Sequence, residues 1–316
     1  MKISLPQSDD RWSASSAQRW ASFPIPPGSC SSYDASLLKI CSCLNVVAGS
    51  QPPRTLEDLA TDGSWMAAWK TTGVLGKQAI VQLLTNIVMS DHGRGSATYA
   101  NIDRNHCKEV LKALLSTTEQ EEFNPSVPEL KARGLHQLSI LSALMMCHIP
   151  PLPLLSSALQ FKCRRSSGKE LENLKKSWIS EPQARRLAVV YAARVFGSIR
   201  NQQCTHFSTP VFLLRATLVL WIFDVVCTLQ QTQDSPSTQS GSPVVILGTP
   251  DTNTVDQTQW VESGTGRIKL LGIGNIAPSP LGRRRLLEES STLMRSLGAW
   301  GIIRIYGQLL TRLQAE

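Results

Sequence analysis

Pro210–Leu229 reads PVFLLRATLVLWIFDVVCTL and is the longest apolar stretch in this sequence of 316 residues. Its length is close to that of a membrane-spanning helix, but Arg215 and Asp224 lie inside it. The uncharged run between these two residues extends only from Ala216 to Phe223, far short of the roughly 20 residues that a span needs. The stretch therefore predicts a buried helix in a large soluble core rather than a membrane span.

A second regular helix is predicted directly before this one, from Pro182 to about Arg200. Proline suits the first turn of a helix, and apolar residues from Ala188 to Ile199 recur at helical spacing. The short segment from His206 to Thr209 then turns the chain. Two helices joined by a short turn pack side by side, so the sequence predicts an antiparallel pair.

Helical spacing of apolar residues recurs elsewhere in the chain, whereas only short stretches have β character. The further predicted helices are Leu37–Val47, a start at Thr55, Val74–Met89, Asp103–Phe123, Pro128–Cys147, Leu152–Phe161, Glu170–Ile179 and about Leu281 to Leu313. Val244–Leu247 is a brief β-like run, and the segment from Trp260 to Ile273 is mixed. These patterns predict an all-α, multi-helix domain with long polar loops and a minor extended segment.

Changes in composition divide the chain into four parts. Residues 1–54 are partly irregular and begin with a Leu-Pro-Trp motif, and residues 55–229 form a helical core. Residues 230–259 are predicted as a flexible linker, because their first part, QQTQDSPSTQSGSP, contains no large apolar residue. Residues 260–316 are predicted as a C-terminal helical segment that packs on the core.

The net charge of +8 favours acidic partners, nucleic acid or an anionic surface, but the cations are scattered along the chain. The densest runs, Lys162–Arg165 and Arg283–Arg285, are short, which favours solvated helix ends over a phosphate-binding face. The eight cysteines show no paired spacing, and no apolar signal-peptide core is present at the N-terminus. Together these features predict a reducing intracellular compartment.

The residues that could carry chemistry do not form a recognisable site. Histidines with a neighbouring Asp or Cys are candidate zinc ligands, but adjacent residues in a helix cannot both bind one ion comfortably. The histidines are His92, His106, His136, His148 and His206, beside or near Asp91, Cys107, Cys147 and Cys204. We therefore predict helix-end histidines and buried cysteines rather than a metal site.

Three other short patterns give only weak evidence of a functional site. Asp9 and Asp10 lack the further acids of a magnesium cluster, and Gly272–Ala277 has no βαβ unit around it that would make it a dinucleotide-binding loop. Trp65 and Trp69 lie four residues apart, which favours a core or interface over a base-stacking platform. No residue is assigned as catalytic, cofactor-binding, metal-binding or DNA-binding, and we predict that the chain is not an enzyme.

Three stretches, taken in order, resemble the fungal-specific transcription factor regulatory domain, particularly that of proteins with zinc-finger DNA-binding modules. The first is LPQSDDRWSASSAQRW (Leu5–Trp20), and the second is Gln183–Trp221, which contains an Ala/Arg-rich helix followed by PVFLLRATLVLW. The third comprises Pro243–Val245, Trp260–Val261, Gly272–Ile276 and Leu297–Ile302.

This resemblance implies an all-helical regulatory region in a nuclear protein that controls transcription by RNA polymerase II. The implied partners are the transcription machinery or full-length paralogues, bound in a homo- or heterodimer, and no membrane. Zinc and DNA contacts in this family come from fingers or a six-cysteine cluster, and this sequence contains neither. Zinc is therefore expected only in a missing module, through which any DNA contact would be made, and no cofactor is expected here.

Two alternatives remain beside the regulatory domain. A truncated paralogue would act only through partners, or would have no function, and a start directly at the Leu-Pro-Trp motif favours this expectation. An all-helical enzyme of unknown type would require carboxylates or histidines that converge in a cleft. A regulatory domain could also sense a small effector in a pocket lined by helices.

Overall fold

The structure is a computed structural model that describes residues 65–71, 73–89, 104–120, 127–148, 180–202, 206, 208–231, 244–248, 255–277, 279–298 and 301–314. The helices are α1 (Trp65–Thr71), α2 (Val74–Met89), α3 (Arg104–Gln120), α4 (Val127–Cys147), α5 (Pro182–Gln202), α6 (Thr209–Gln231), α7 (Val255–Ser263), α8 (Pro280–Ser296) and α9 (Gly301–Gln314). The strands are β1 (Val244–Leu247), β2 (Arg267–Leu270) and β3 (Gly274–Ala277). The predicted all-α class with a minor extended segment is confirmed.

Helices α5 and α6 form the centre of the described core. Helix α5 packs extensively against both α4 and α6, while α2 and α3 pack on α4 and on each other. Trp221 in α6 is only 1% exposed, and Phe196 in α5 is fully buried. Helix α6 is apolar around most of its circumference, so it can bury surface against several neighbours at once. The predicted central helix and its pairing with the preceding helix are confirmed.

The small sheet lies on one side of this helical centre, in the order β1-β2-β3. Strands β1 and β2 are parallel, whereas β2 and β3 are antiparallel with an irregularity after Ile268. Alternate residues of β1 and β2 are buried, including Leu247 and Leu270. The inner face contacts the helices, β1 lying on α5 and β3 on α6 and α8. Strand β1 occupies the predicted β-like run, whereas β2 and β3 were not predicted as strands.

Two glycines allow α5 to approach the end of β1. A Cβ atom at Gly197 would lie only 2.6 Å from the carbonyl oxygen of Gly248. Gly248 itself has a φ of +86°, in the left-handed region that favours glycine. Any larger residue at Gly197 would have to push the helix and the strand apart.

The last predicted helix, Leu281 to Leu313, is wrong as a single element, because two helices occupy this region. Helix α8 begins after the N-cap Ser279, with Pro280 in its first turn, and ends at Ser296. Gly298 then adopts a φ of 112°, which a right-handed helix cannot continue through. Helix α9 begins at Gly301 and packs back on α8.

The predicted flexible linker, residues 230–259, is partly folded. It contains β1, whose Val245 is buried, and the first part of α7. The buried strand belongs to the core because its apolar side chains gain more from burial than a polar loop would. Residues 1–54 and the predicted helices Leu152–Phe161 and Glu170–Ile179 lie outside the described residues.

Candidate functional site

Asp224 is the charged residue deepest within the apolar helix α6, and it contacts the beginning of α8. Its side chain is only 1% exposed, and one carboxylate oxygen accepts a hydrogen bond from the backbone N–H of Ser279 at 2.8 Å. The other oxygen lies 2.9 Å from Nε of Arg283, as an ion pair rather than a well-aligned hydrogen bond. Burial raises the pKa of Asp224, and the Ser279 N–H and Arg283 oppose that shift.

These contacts make Asp224 a docking point between α6 and α8. Its charge lies at the helix N-terminus, where unpaired N–H groups favour an anion. The Ser279 hydroxyl accepts a hydrogen bond from the N–H of Gly282, so the same turn is capped twice. The carboxylate is therefore held by structural contacts rather than aimed at a cleft.

Three further polar contacts join the middle of the chain to its C-terminal part. The hydroxyls of Thr217 in α6 and Ser290 in α8 lie 2.9 Å apart and are both buried. Arg200 in α5 forms an ion pair with Glu289 at 3.0 Å and donates a hydrogen bond to the carbonyl of Leu271 at 3.0 Å. The described core and C-terminal segments are thus one packed unit.

The position of Arg200 also limits which ligands could reach the glycine-containing segment Gly272–Ala277. This segment forms the turn after β2 and then β3. The guanidinium of Arg200 occupies the space beside Gly272, where a Cβ atom would overlap it. A phosphate could not approach the backbone from that side without displacing Arg200, so the segment is a turn packed against α5.

His148 and Tyr191 form the most perturbed group of titratable side chains, where α3, α4 and α5 meet. Their rings stack with centroids 5.9 Å apart and planes at 20°. Burial, followed by the charges of Lys108, Lys112 and Arg185, lowers the pKa of His148 to about 4. Arg185 also donates a hydrogen bond to the His148 carbonyl at 2.5 Å. The imidazole is therefore neutral at pH 7.

Two side chains beside His148, those of Cys147 and Tyr191, are also uncharged at neutral pH. Burial raises the pKa of Cys147 to about 12 and that of Tyr191 to about 12. A thiol with a raised pKa is a poor nucleophile, because the thiolate is the reactive form. Nε2 of His148 is buried and has no hydrogen-bond partner, so it could accept or donate one hydrogen bond to a small polar ligand. This arrangement lacks the features of an activated nucleophile.

The other histidines that the structure describes do not join this group. His106 is exposed on α3, and His136 is buried in α4 with its ring edge-on to Trp69 at 5.6 Å. His206 hydrogen bonds through Nδ1 to the Ser208 hydroxyl at 2.6 Å, and burial lowers its pKa to about 4. His92 and Cys204 lie outside the described residues, as do Asp9 and Asp10.

The cysteines and tryptophans that are described lie mostly in the core. Cys107 is buried, whereas Cys147 and Cys227 are partly buried, and all three are free thiols. Trp65 and Trp69 are each 1% exposed, so the predicted core or interface role is confirmed for both. Among the described residues, no group of three or more His, Cys, Asp or Glu side chains could hold a metal ion.

One helix in the described part of the chain is long and apolar enough to cross a membrane, judged by length and composition alone. It covers Thr209–Thr228, within α6, and 72% of that stretch is buried inside the protein. A core helix of this length passes the same test. No family model, curated protein or solved structure matches the chain.

Sequence reasoning missed the partners of Asp224 and the stacking of His148 on Tyr191. Ser279 followed by Pro280 is a recognisable helix start and could have placed the beginning of α8. Nothing local indicates that this helix start would meet a carboxylate 55 residues earlier in the chain. His148 and Tyr191 are brought together only by the packing of α4 on α5.

Proposed function

We propose that this chain is a regulatory and interaction domain of a fungal-type transcription factor, acting on transcription by RNA polymerase II without catalysis. The proposal rests on the ordered resemblance of three stretches to the regulatory domain of that family. Nuclear localisation and binding to the transcription machinery or to full-length paralogues follow from the same resemblance and are part of the proposal.

The observation that carries the proposal is where the resembling residues lie. Trp221 from the middle stretch and Trp260 and Ile276 from the last stretch are all buried. Phe223, two residues beyond the middle stretch, meets the Trp260 ring edge-on at 6.0 Å. Residues that resemble one family therefore share one core, as expected if the resemblance reflects a common fold rather than chance composition.

The chemistry of the titratable residues also favours binding over catalysis. Asp224 is held by the Ser279 N–H and Arg283, and the Cys147 thiol and the His148 imidazole at the α3–α4–α5 junction are neutral at pH 7. Catalytic groups usually have a pKa near the working pH and a free approach for substrate. These neutral side chains fit an interaction domain better than a site for nucleophilic or acid–base chemistry.

A tethering experiment tests this function. The 316-residue chain is fused to an unrelated DNA-binding module, and transcription of an RNA polymerase II reporter is compared with that given by the module alone. We expect a several-fold change in reporter RNA, in either direction. A folded fusion that reaches the nucleus and leaves the reporter unchanged would refute the proposal.

The matched controls for this assay come from the surface and the core. Arg304→Glu changes an exposed residue on α9 and should keep the effect. Trp221→Ala removes a buried ring from the centre of the core and should abolish it, since such a deletion costs about 3–5 kcal/mol. An effect that survived Trp221→Ala would not depend on the folded domain and would also contradict the proposal.

A further inference from the structure

The outward side of the small sheet exposes apolar side chains next to cations. In β1, Val244 and Ile246 are 43% and 48% exposed. They lie beside Arg267 and Lys269 of β2 in the parallel register. The N–H of Leu271 donates to the Leu247 carbonyl, so the pairing continues one residue past β2, and Leu271 is also 43% exposed. We call these five side chains the outer sheet face.

The outer sheet face is unusual for this protein. The described residues with large, exposed apolar side chains are Leu130, Val244, Ile246, Leu271, Leu281 and Ile305, so half of them lie on this one face. Single exposed apolar residues are normal on a protein surface, whereas large contiguous apolar patches mark interaction sites. The three apolar side chains of this face are adjacent because they occupy two paired strands.

The edges of the sheet are covered, so a partner would have to bind the face itself. Gln257 of α7 donates a hydrogen bond from Nε2 to the Ile246 carbonyl at 3.0 Å, which occupies the outer edge of β1. On the other side, α8 approaches β3 so closely that a Cβ atom at Gly282 would overlap the Asn275 carbonyl oxygen. An additional strand could therefore not extend the sheet by backbone pairing without displacing α7 or α8.

The charges and side-chain types of the outer sheet face disfavour a second copy of the chain and a nucleic acid as partners. None of its five side chains is acidic, and two are cationic. A second copy docked through this face would place Arg267 and Lys269 opposite cations, which disfavours a symmetric dimer here. Phosphate contacts would leave the three aliphatic side chains in water, and the face has no aromatic ring on which a base could stack.

We propose that the outer sheet face binds an acidic amphipathic segment of another protein, one in which Asp or Glu alternate with large apolar residues. The apolar side chains of that segment cover Val244, Ile246 and Leu271. Its carboxylates pair with Lys269. This inference goes beyond the proposed regulatory function and stands independently of it, because it depends only on the geometry and charge of this face.

The test is a direct binding measurement on the full chain. The probe is a fluorescein-labelled synthetic peptide in which Asp and Glu alternate with Leu and Phe, and binding is followed by fluorescence anisotropy. Wild-type protein should bind, and Lys269→Glu should weaken the affinity about tenfold by replacing attraction with repulsion. Ile246→Ser should weaken it about fivefold by removing buried apolar area, without changing the charge.

The matched controls lie on α9, where Arg304 is exposed and Ile305 is 61% exposed. Arg304→Glu and Ile305→Ser make the same chemical changes at a different surface and should leave the affinity within about twofold of wild type. Circular dichroism of each variant confirms that the fold is retained, as expected for substitutions of exposed side chains.

Four outcomes would overturn the proposal. The wild-type protein could give no anisotropy change up to about 1 mM. The α9 variants could weaken binding as much as the variants on the face. A peptide carrying Lys in place of Asp and Glu could bind equally well. Single-stranded DNA could displace the acidic peptide and lose its own binding in Lys269→Glu, which would make the face a nucleic-acid site.

Discussion

Single residues in this protein take their roles from contacts far away in the sequence. Arg215 and Asp224 both interrupt the apolar helix α6, and the sequence alone shows only that they argue against a membrane span. The structure separates them, because Asp224 holds the start of α8 whereas Arg215 lies partly buried near Tyr306. A carboxylate among apolar residues is costly unless its partners are supplied, and those partners come from α8.

Asp224→Ala should destabilise the protein by about 3 kcal/mol, because it leaves Arg283 half-buried without its ion pair and removes an acceptor from the start of α8. Urea denaturation measures this change. The control is Arg284→Ala, one residue beyond Arg283, which removes an exposed pair with Glu288 and should cost under about 0.5 kcal/mol. Equal losses in the two variants would show that Asp224 does not anchor α8.

The pH dependence of stability should reveal the buried histidines. The pKa values of His148 and His206 are lowered from 6.5 to about 4, so the unfolded chain takes up protons between these values while the folded protein resists them. Stability should therefore fall as the pH drops from about 6.5 to about 4. Between pH 7 and pH 5, the free energy of unfolding should fall less for His148→Gln than for the wild-type protein. The difference should be on the order of 1–2 kcal/mol, measured by urea denaturation.

The wild-type protein and His148→Gln share every other titrating group, so the difference between their pH profiles isolates the imidazole. Parallel profiles would contradict the burial of His148 against Tyr191.

At the scale of elements, the long periodic helices and the β-like run of β1 were predictable, whereas strands β2 and β3 were not. Helix α2 has the predicted bounds Val74–Met89. Helix α5 begins at the predicted Pro182 and ends two residues later than predicted, and α6 begins one residue earlier and ends two residues later. Strands β2 and β3 have four residues each; β2 pairs in parallel with β1, more than 20 residues earlier, and β3 pairs with β2 in antiparallel orientation. The break between α8 and α9 depends on one glycine conformation, which composition alone does not reveal.

Two glycine-to-alanine substitutions should have opposite effects on stability, one because of packing and the other because of helix propensity. Gly197→Ala should destabilise the protein by about 2 kcal/mol, because its Cβ would lie 2.6 Å from the Gly248 carbonyl oxygen. Gly307→Ala in α9 should instead stabilise it by about 0.5–1 kcal/mol, since nothing lies within 4 Å of the added Cβ. Thermal unfolding of both variants checks the pair, and destabilisation by both would contradict the open space at Gly307.

At the scale of the molecule, the described core and C-terminal segments form one unit, with α5 and α6 as its centre and the sheet and α8 packed on them. The sequence predicted Val244–Leu247 as a β-like run inside a linker, but it did not show that this strand pairs with β2 and belongs to the core. The His148–Tyr191 junction was equally hidden, since its members come from different helices. The central helix pair, in contrast, was evident from its apolar pattern alone.

The most direct test of the regulatory role is nascent-transcript sequencing after rapid depletion of the protein from its own cells. If the chain is a transcriptional regulator, a limited set of RNA polymerase II transcripts should change within minutes, before secondary effects. Unchanged nascent transcription, accompanied by rapid accumulation of a metabolite, would contradict the account and indicate an enzyme.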